Sequence, residues 1–241
     1  MRENGAATVV CVHGAGGGGW EWAIWARVLA HRGFDVIAPD LKPSAAGIEK
    51  TSFADYRDQV LEWCRGAGEG AVLIGASLGG LVALAVAHAV RPAALILVNP
   101  LPPAGVLARP LHEPWPAIVP WARMRSLAST QRAMPDADDA ARLFALRRWR
   151  DESGAVLNEA RDGVAVEAPR CPTLLLAGEG DADIPPAAVR ALAVRFSADF
   201  RSIPGASHVG PLLGRGAATV AAEASGWLAE RLGQPQVLTG L

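Results

Sequence analysis

The chain has 241 residues, of which 51% are hydrophobic, and its 23 basic and 24 acidic side chains give a formal net charge of −1. This length fits one large α/β domain or two small domains, and the hydrophobic content is sufficient for a substantial core. The balanced charge provides no extended field of one sign, so neither nucleic acid nor an anionic membrane is an expected partner. Three widely spaced cysteines argue against a disulfide framework.

The hydropathy of the N-terminal region favours a cytoplasmic protein. The first apolar run has only five residues, which is too short for the apolar region of a signal peptide. No apolar stretch is long enough to span a bilayer, so no membrane association is expected. The sequence contains no signal for an oligomeric state.

Short apolar runs alternate with helical patterns along the chain. This alternation predicts parallel βαβ units. The strand-like runs are continuously apolar, which is typical of a sheet that is covered on both faces. Strands are predicted at 8–12, 35–38, 71–74, 94–98, 173–177 and 200–203. Helices are predicted at 21–32, 53–65, 78–90, 186–196 and 217–231.

Residues 101–168 interrupt this alternation with seven prolines and a helical pattern at 140–150. We expect a single domain over residues 1–241, with 101–168 as a helical lid insertion rather than a second folding unit. Tryptophans are suited to lining an apolar pocket. Trp115, Trp121 and Trp149, together with His112, are therefore predicted to contact a substrate. The alternative is a plain surface excursion.

Residues 75–79 read Gly-Ala-Ser-Leu-Gly and match the pattern G-x-S-x-G. A predicted strand leads into this motif and a predicted helix leads out of it, which is the context of a nucleophile elbow with Ser77 at its tip. Such a turn forces the serine to a positive φ, and glycines on either side leave room for it. The N-terminus of the following helix favours developing negative charge.

A nucleophilic serine needs a general base, and the base needs an orienting acid. Asp181 follows the fifth predicted strand on a glycine turn, and His208 lies on a loop after the sixth. Because parallel strands place ligands beyond their carboxyl ends, Ser77, Asp181 and His208 are predicted to meet there. Asp183 is a rival acid. No metal-ligand cluster is recognised, so neither a metal nor another cofactor is predicted.

A glycine-rich loop from His13 to Trp20 directly follows the first predicted strand. Alone it is a weak signal, and it matches neither the dinucleotide-binding nor the phosphate-binding glycine pattern. Next to a nucleophile elbow it has a better explanation, because acyl transfer needs two preorganised N–H donors for its oxyanion. The backbone N–H groups of Ala15 and Leu78 are the predicted donors.

The motifs HGAGGGGW, GASLGG, GEGDADIP and GASH, in this order, resemble those of α/β-hydrolase-fold serine hydrolases over nearly the whole chain. The resemblance implies a mostly parallel sheet of about six strands that is flanked by helices and carries a lid. Residues 13–60 are similar to the plant methylesterase and hydroxynitrile lyase group and its bacterial esterase relatives, which implies small carboxylic esters. The lyases of that group have a hydroxyl residue beside the oxyanion loop and a lysine near the histidine. Ala15 and Val209 disfavour the lyase reaction here.

We therefore predict a serine hydrolase that cleaves a small carboxylic ester through an acyl-enzyme intermediate. The first alternative is a thioesterase, or a tailoring enzyme that uses the same three residues for cyclisation, lactonisation or elimination. The second is a ligand-binding protein of the same fold with an idle triad, because a fold does not fix a function. The expected partner is a small apolar ester or thioester, and no cofactor is required.

Overall fold

The protein is described by a computed structural model that covers residues 7–106 and 113–233. Its centre is a six-stranded sheet in which every neighbouring pair of strands is parallel. In chain order the strands are β1 (Thr8–Val12), β2 (Asp35–Ile37), β3 (Val72–Ala76), β4 (Ala94–Val98), β5 (Ile118–Val119), β6 (Glu152–Ser153), β7 (Thr173–Gly178) and β8 (Asp199–Ile203). The sheet has the order β2-β1-β3-β4-β7-β8, and β5 and β6 form a separate antiparallel pair.

The described residues also form ten α-helices, several of which begin at side chains that cap them. Ser52 and Asp55 form a capping box before the second helix, and Asp138 caps the sixth through Ala141 N–H. The helices are α1 (Ala23–His31), α2 (Phe53–Ala67), α3 (Leu78–Val90), α4 (Trp121–Met124), α5 (Leu127–Ala133), α6 (Asp139–Leu146), α7 (Gly154–Gly163), α8 (Pro186–Phe196), α9 (Gly210–Leu213) and α10 (Ala217–Leu232).

The apolar core lies on both faces of the sheet. Successive residues of a strand point to opposite faces, so in β4 Leu95 and Leu97 join a cluster with α2, α3 and α8. Ala94 and Ile96 join the opposite cluster, with α1 and α10. The prediction that the apolar runs form a parallel sheet covered on both faces is confirmed.

The segment 101–168, called the insertion below, separates β4 from β7. In its described part it contains four helices, as the sequence indicates, but also the β5–β6 pair. Each of these two strands has two residues, which is too short to give a hydropathy pattern. The predicted helix at 140–150 is instead Asp139–Leu146. The function of the insertion as a lid stays a prediction.

Two further elements differ from the sequence-based expectation. The first predicted helix begins with a 3₁₀ turn, Gly19–Trp22, before α1 starts at Ala23. The four-residue helix α9 follows His208 and has no counterpart among the predicted elements. None of the helices in the described ranges combines the length and apolarity needed to cross a membrane.

Candidate active site

Ser77 lies on the sharp turn between β3 and α3, with φ 51° and ψ −121°. A non-glycine residue in such a conformation costs about 1–3 kcal/mol, so the surrounding structure must hold it. Ser77 N–H donates to Val98 O at 3.0 Å. A side chain at Gly75 would collide with the Gly79 backbone, and one at Gly79 would collide with the carbonyl oxygen of His13. Both positions of the motif therefore require glycine, because neighbouring backbone atoms come too close to leave room for a Cβ atom.

The structure brings Ser77, His208 and Asp181 into one chain of hydrogen bonds. Ser77 Oγ lies 2.8 Å from His208 Nε2, and His208 Nδ1 lies 2.8 Å from Asp181 Oδ2. Since an ionised carboxylate can only accept, Nδ1 carries the proton and Nε2 is left to accept from the serine hydroxyl. The Asp181 side chain is 1% exposed and that of His208 is 14% exposed. This is the tautomer and the setting that a general base needs.

The two candidate acids occupy different positions. Asp181 Oδ1 accepts the backbone N–H groups of Asp183 and Ile184 at 2.8 and 2.9 Å, which leaves Oδ2 for His208. Asp183 is exposed, and its backbone supports Asp181. Asp181, Asp183 and His208 also form a group whose possible metal-ligating atoms lie within 4.8 Å of one another. In the described arrangement Asp181 and His208 bond to each other.

The electrostatic surroundings of His208 favour its charged form. Burial acts to lower the pKa of His208, but the hydrogen bond that Nδ1 donates to Asp181 and the charge of Asp181 raise it, and the charge of Asp183 adds to this effect. The net pKa of His208 is raised. An imidazolium formed when the serine loses its proton would therefore be stabilised at this position.

Asn99, at the end of β4, connects the strand ends that carry the site. It is buried with φ 41°; its Nδ2 donates to His208 O at 2.7 Å, and its Oδ1 accepts Gly178 N–H at 2.8 Å. The sequence marks it only as the start of an Asn-Pro turn, a signal without information about the bond to His208. Sequence reasoning therefore missed it as a support of the histidine loop.

Asp136, in the insertion, holds the residue before His208. Its carboxylate accepts the backbone N–H of Ser207 at 3.1 Å and the Ser207 hydroxyl at 2.6 Å. The insertion thus holds the histidine loop at Ser207, whereas Asn99 donates to the carbonyl oxygen of His208. No local pattern around Asp136 indicates this contact, because the two residues are 71 positions apart.

The glycine-rich loop has one free donor at the position that the motif predicts. Gly14 N–H donates to Glu21 Oε2 at 3.2 Å, Gly16 N–H donates to Glu152 Oε2 at 2.9 Å, and Gly17 N–H donates to Gly14 O at 3.2 Å. Within the described ranges, the hydrogen bonds include no acceptor for Ala15 N–H. The same holds for the N–H of Leu78, the first residue of α3. Their function as oxyanion donors stays a prediction.

Two buried ionisable side chains support this loop. Burial lowers the pKa of His13 to about 4, so its neutral ring donates from Nδ1 to Gly14 O and accepts Leu41 N–H at Nε2, both at 2.8 Å. Burial raises the pKa of Glu21 to about 8, against smaller opposing effects of Gly14 N–H and of His208. The loop is thus held by two side chains, those of His13 and Glu21, that are largely uncharged at neutral pH.

The described tryptophans among the predicted substrate contacts belong to two different aromatic pairs. Trp121 lies against the glycine-rich loop, because a Cβ added to Gly16 would come 2.5 Å from its ring. Trp115 packs edge-on against Trp121, with ring centroids 6.0 Å apart, and is 43% exposed. Trp149 instead packs edge-on against Trp20 at 5.3 Å. His112 lies outside the described residues, and the substrate-binding function of all four residues stays a prediction.

The sequence matches the model of the alpha/beta hydrolase family over residues 9–223. The chain belongs to this family. The family assignment and the sheet order confirm the fold class that the motifs predicted. None of the curated proteins compared with this alpha/beta hydrolase matches it significantly.

Solved structures similar to this alpha/beta hydrolase include a thermophilic esterase from Thermogutta terrifontis, at 23% identity and a TM-score of 0.67, covering 94% of this chain and 90% of the esterase. A pyrethroid hydrolase from Sphingobium faniae shares 20% identity at a TM-score of 0.70, with 96% and 99% coverage. Polyneuridine aldehyde esterase shares 17% identity in its H244A variant, at a TM-score of 0.68 and 94% and 99% coverage. These similarities establish a shared fold.

Proposed function

We propose that this protein is a serine hydrolase that cleaves a small carboxylic ester through an acyl-enzyme intermediate. One observation carries the proposal: Ser77 Oγ, the His208 ring and the Asp181 carboxylate form a chain of two 2.8 Å hydrogen bonds at a strained turn. Nucleophile, base and orienting acid in this arrangement are what acyl transfer to a serine requires. No step needs a metal or another cofactor.

In the proposed reaction, Ser77 Oγ forms a bond to the ester carbonyl carbon while its proton passes to His208 Nε2. The carbonyl electrons move to the oxygen, which accepts hydrogen bonds from Ala15 N–H and Leu78 N–H. The C–O bond to the alcohol breaks as His208 returns the proton to the leaving oxygen. Water then attacks the acyl-enzyme with His208 as its base, releasing the acid and restoring Ser77.

The surroundings of the site favour an apolar substrate. The ring of Trp121 packs against Gly16 of the glycine-rich loop, next to the proposed donor Ala15. Trp115 packs against Trp121 and extends this aromatic surface towards solvent. The proteins named above as similar in fold are called esterases or a pyrethroid hydrolase, in line with ester substrates. We therefore propose a small-molecule ester with an apolar acyl or alcohol part.

The test is hydrolysis of p-nitrophenyl esters of increasing acyl length by the wild type and by Ser77→Ala. Loss of the nucleophile is expected to lower kcat by about 10⁵–10⁶-fold. A fluorophosphonate probe is expected to label Ser77 in the wild type. The control is Ser225→Ala, which removes another buried serine, in α10, and is expected to retain activity.

Three outcomes contradict the proposal. If Ser77→Ala hydrolyses esters as fast as the wild type, Ser77 is not the nucleophile. If the folded wild type is inert on all esters and is not labelled, the protein is a ligand-binding member of the fold. Labelling of Ser77 without ester hydrolysis instead points to thioester hydrolysis or to cyclisation, lactonisation or elimination by the same residues.

A further inference from the structure

A short stretch of the insertion, Arg150 to Glu152, bonds directly to the glycine-rich loop. Arg150 N–H donates to Gly16 O at 2.8 Å, and its Nε donates to Gly17 O at 2.5 Å. Glu152 Oε2 accepts Gly16 N–H at 2.9 Å. Both polar groups of Gly16 are thus held by residues more than 130 positions away in the sequence. The insertion is bonded to this loop in addition to lying beside it.

The carboxylate of Glu152 is itself fixed on its other side. Its Oε1 accepts the Tyr56 hydroxyl at 2.6 Å and the backbone N–H of Ser153 at 2.8 Å. The residue is 3% exposed and lies in β6, which pairs with β5. A buried carboxylate with donors at both oxygens has one preferred orientation, so Gly16 N–H has one preferred direction.

Arg150 also contacts His13 and the segment that follows β2. Its guanidinium lies 3.3 Å from Asp40 Oδ2 and 3.1 Å from His13 Nε2, and it donates to Leu41 O at 3.4 Å. These contacts tie the end of the insertion to the segment after β2. The loop is thus bonded by Arg150 and Glu152 of the insertion and also by the side chains of His13 and Glu21.

Because the peptide unit is planar, these hydrogen bonds also determine the direction of Ala15 N–H. In a trans peptide the N–H points opposite to the C=O of the preceding residue. Gly14 O is occupied by His13 Nδ1 and Gly17 N–H, so Ala15 N–H points away from both. The next peptide, Ala15–Gly16, is set by Glu152 through Gly16 N–H. The orientation of Ala15 therefore depends on fixed peptides on both sides.

We infer that Glu152, supported by Tyr56, and Arg150 are positioning residues for the oxyanion hole, so the insertion is a fixed part of the catalytic apparatus. This inference rests on the proposed function, because it assigns Ala15 N–H to the oxyanion of an ester reaction. Loss of one oxyanion donor typically costs about 100- to 1000-fold in rate. Misplacing a donor without removing it is expected to cost about 10- to 100-fold.

The decisive variant is Glu152→Gln. An amide has only one oxygen acceptor. Its NH2 group therefore faces one of the two backbone donors, either Gly16 N–H or Ser153 N–H, and cannot accept from it. We expect kcat, normalised to sites titrated with a fluorophosphonate, to fall by about 10- to 100-fold, with KM within about threefold of the wild type. Glu159→Gln removes a more exposed carboxylate from the same insertion and serves as the matched control.

A pair of inhibitors separates positioning from a general structural effect. A trifluoromethyl ketone forms a hemiketal oxyanion with the serine, whereas the corresponding methyl ketone binds without developing that charge. Glu152→Gln is expected to weaken the trifluoromethyl ketone by the same factor as kcat and to leave the methyl ketone unchanged, because the lost interaction acts on the oxyanion. Equal weakening of both inhibitors would overturn the inference.

The inference and the proposed function fail in different ways. Wild-type kcat in Glu152→Gln overturns the inference even where Ser77→Ala is inactive, whereas activity in Ser77→Ala overturns the proposed function. Should Glu152→Gln give no titratable enzyme, Tyr56→Phe decides, since it removes only the anchor of the carboxylate. A lower kcat with unchanged KM in Tyr56→Phe supports the inference, and wild-type kinetics overturn it.

Discussion

Two parts of the candidate active site are held in place in different ways. Ser77, Asp181 and His208 lie on turns that follow β3, β7 and β8, so the strand order of the sheet brings them together. The glycine-rich loop is instead oriented by side chains, and Glu152 is the most distant of them in sequence. A motif thus indicates which residues enter a site, whereas the direction of a backbone N–H depends on residues that the motif does not contain.

After the loss of Ser77 itself, the largest expected effect comes from changing the acid of the strand-end part of the site. Asp181→Asn removes the charge that orients the imidazole of His208, and a change of this kind costs about 10⁴-fold in kcat. The measurement is kcat for a p-nitrophenyl ester, with circular dichroism to check the fold. Asp183→Asn is the matched control, because Asp183 makes no hydrogen bond to His208 among the described contacts.

Asp183→Asn is expected to change the pH profile rather than the maximal rate. The charge of Asp183 helps to raise the pKa of His208, so its removal lowers that pKa. Since the base must be neutral, the acid limb of kcat/KM moves to lower pH, while kcat at high pH stays within a few-fold of the wild type. Equal losses of kcat in both variants would contradict the assignment of Asp181 as the acid.

A smaller effect tests how the strand ends are joined. Asn99→Gly removes all three side-chain hydrogen bonds but tolerates φ 41°, leaving Gly178 N–H and His208 O without their partner. The free energy of unfolding is expected to fall by about 1–3 kcal/mol for each unpaired group, as measured by urea denaturation. Asn158→Gly, at a more exposed site, is the control. An unchanged unfolding midpoint in Asn99→Gly would show that the sheet alone holds the histidine loop.

The smallest effect concerns Glu21, which accepts Gly14 N–H of the glycine-rich loop. Burial raises the pKa of Glu21 from its ordinary value of 4.5 to about 8, so between these pH values the folded chain holds a proton that the unfolded chain loses. The stabilisation by this proton is full below pH 4.5 and is lost as the pH rises through about 8. The slope is at most about 1.4 kcal/mol per pH unit.

Glu21→Gln keeps an acceptor for Gly14 N–H but cannot ionise, so its stability should vary less with pH. Urea denaturation at several values between pH 5 and 8 measures the difference from the wild type. Glu49→Gln, which alters an exposed carboxylate, should retain the wild-type slope. A Glu21→Gln slope equal to that of the wild type would mean that Glu21 is ionised in the folded protein.

Local sequence patterns were sufficient for the elements of the sheet and for the turn at Ser77. The helix α3 was predicted with its observed bounds because apolar strand, glycine turn and alanine-rich helix follow one another without interruption. The pair β5–β6 could not be predicted, since two residues carry no periodicity. Glu152 could not be predicted either, because its partners Gly16 and Tyr56 are 136 and 96 positions away.

The attachment of β6 to the glycine-rich loop has a consequence for chimeric enzymes. Exchanging the whole segment 101–168 with that of another alpha/beta hydrolase would remove Arg150 and Glu152 and leave Tyr56 without its acceptor. A library that varies specificity is better built by replacing residues 125–135 and 139–148 and keeping both Asp136 and the junction from Trp149 to Ser153. Such grafts alter helices α5 and α6 and preserve the contacts that hold the glycine-rich loop and the histidine loop.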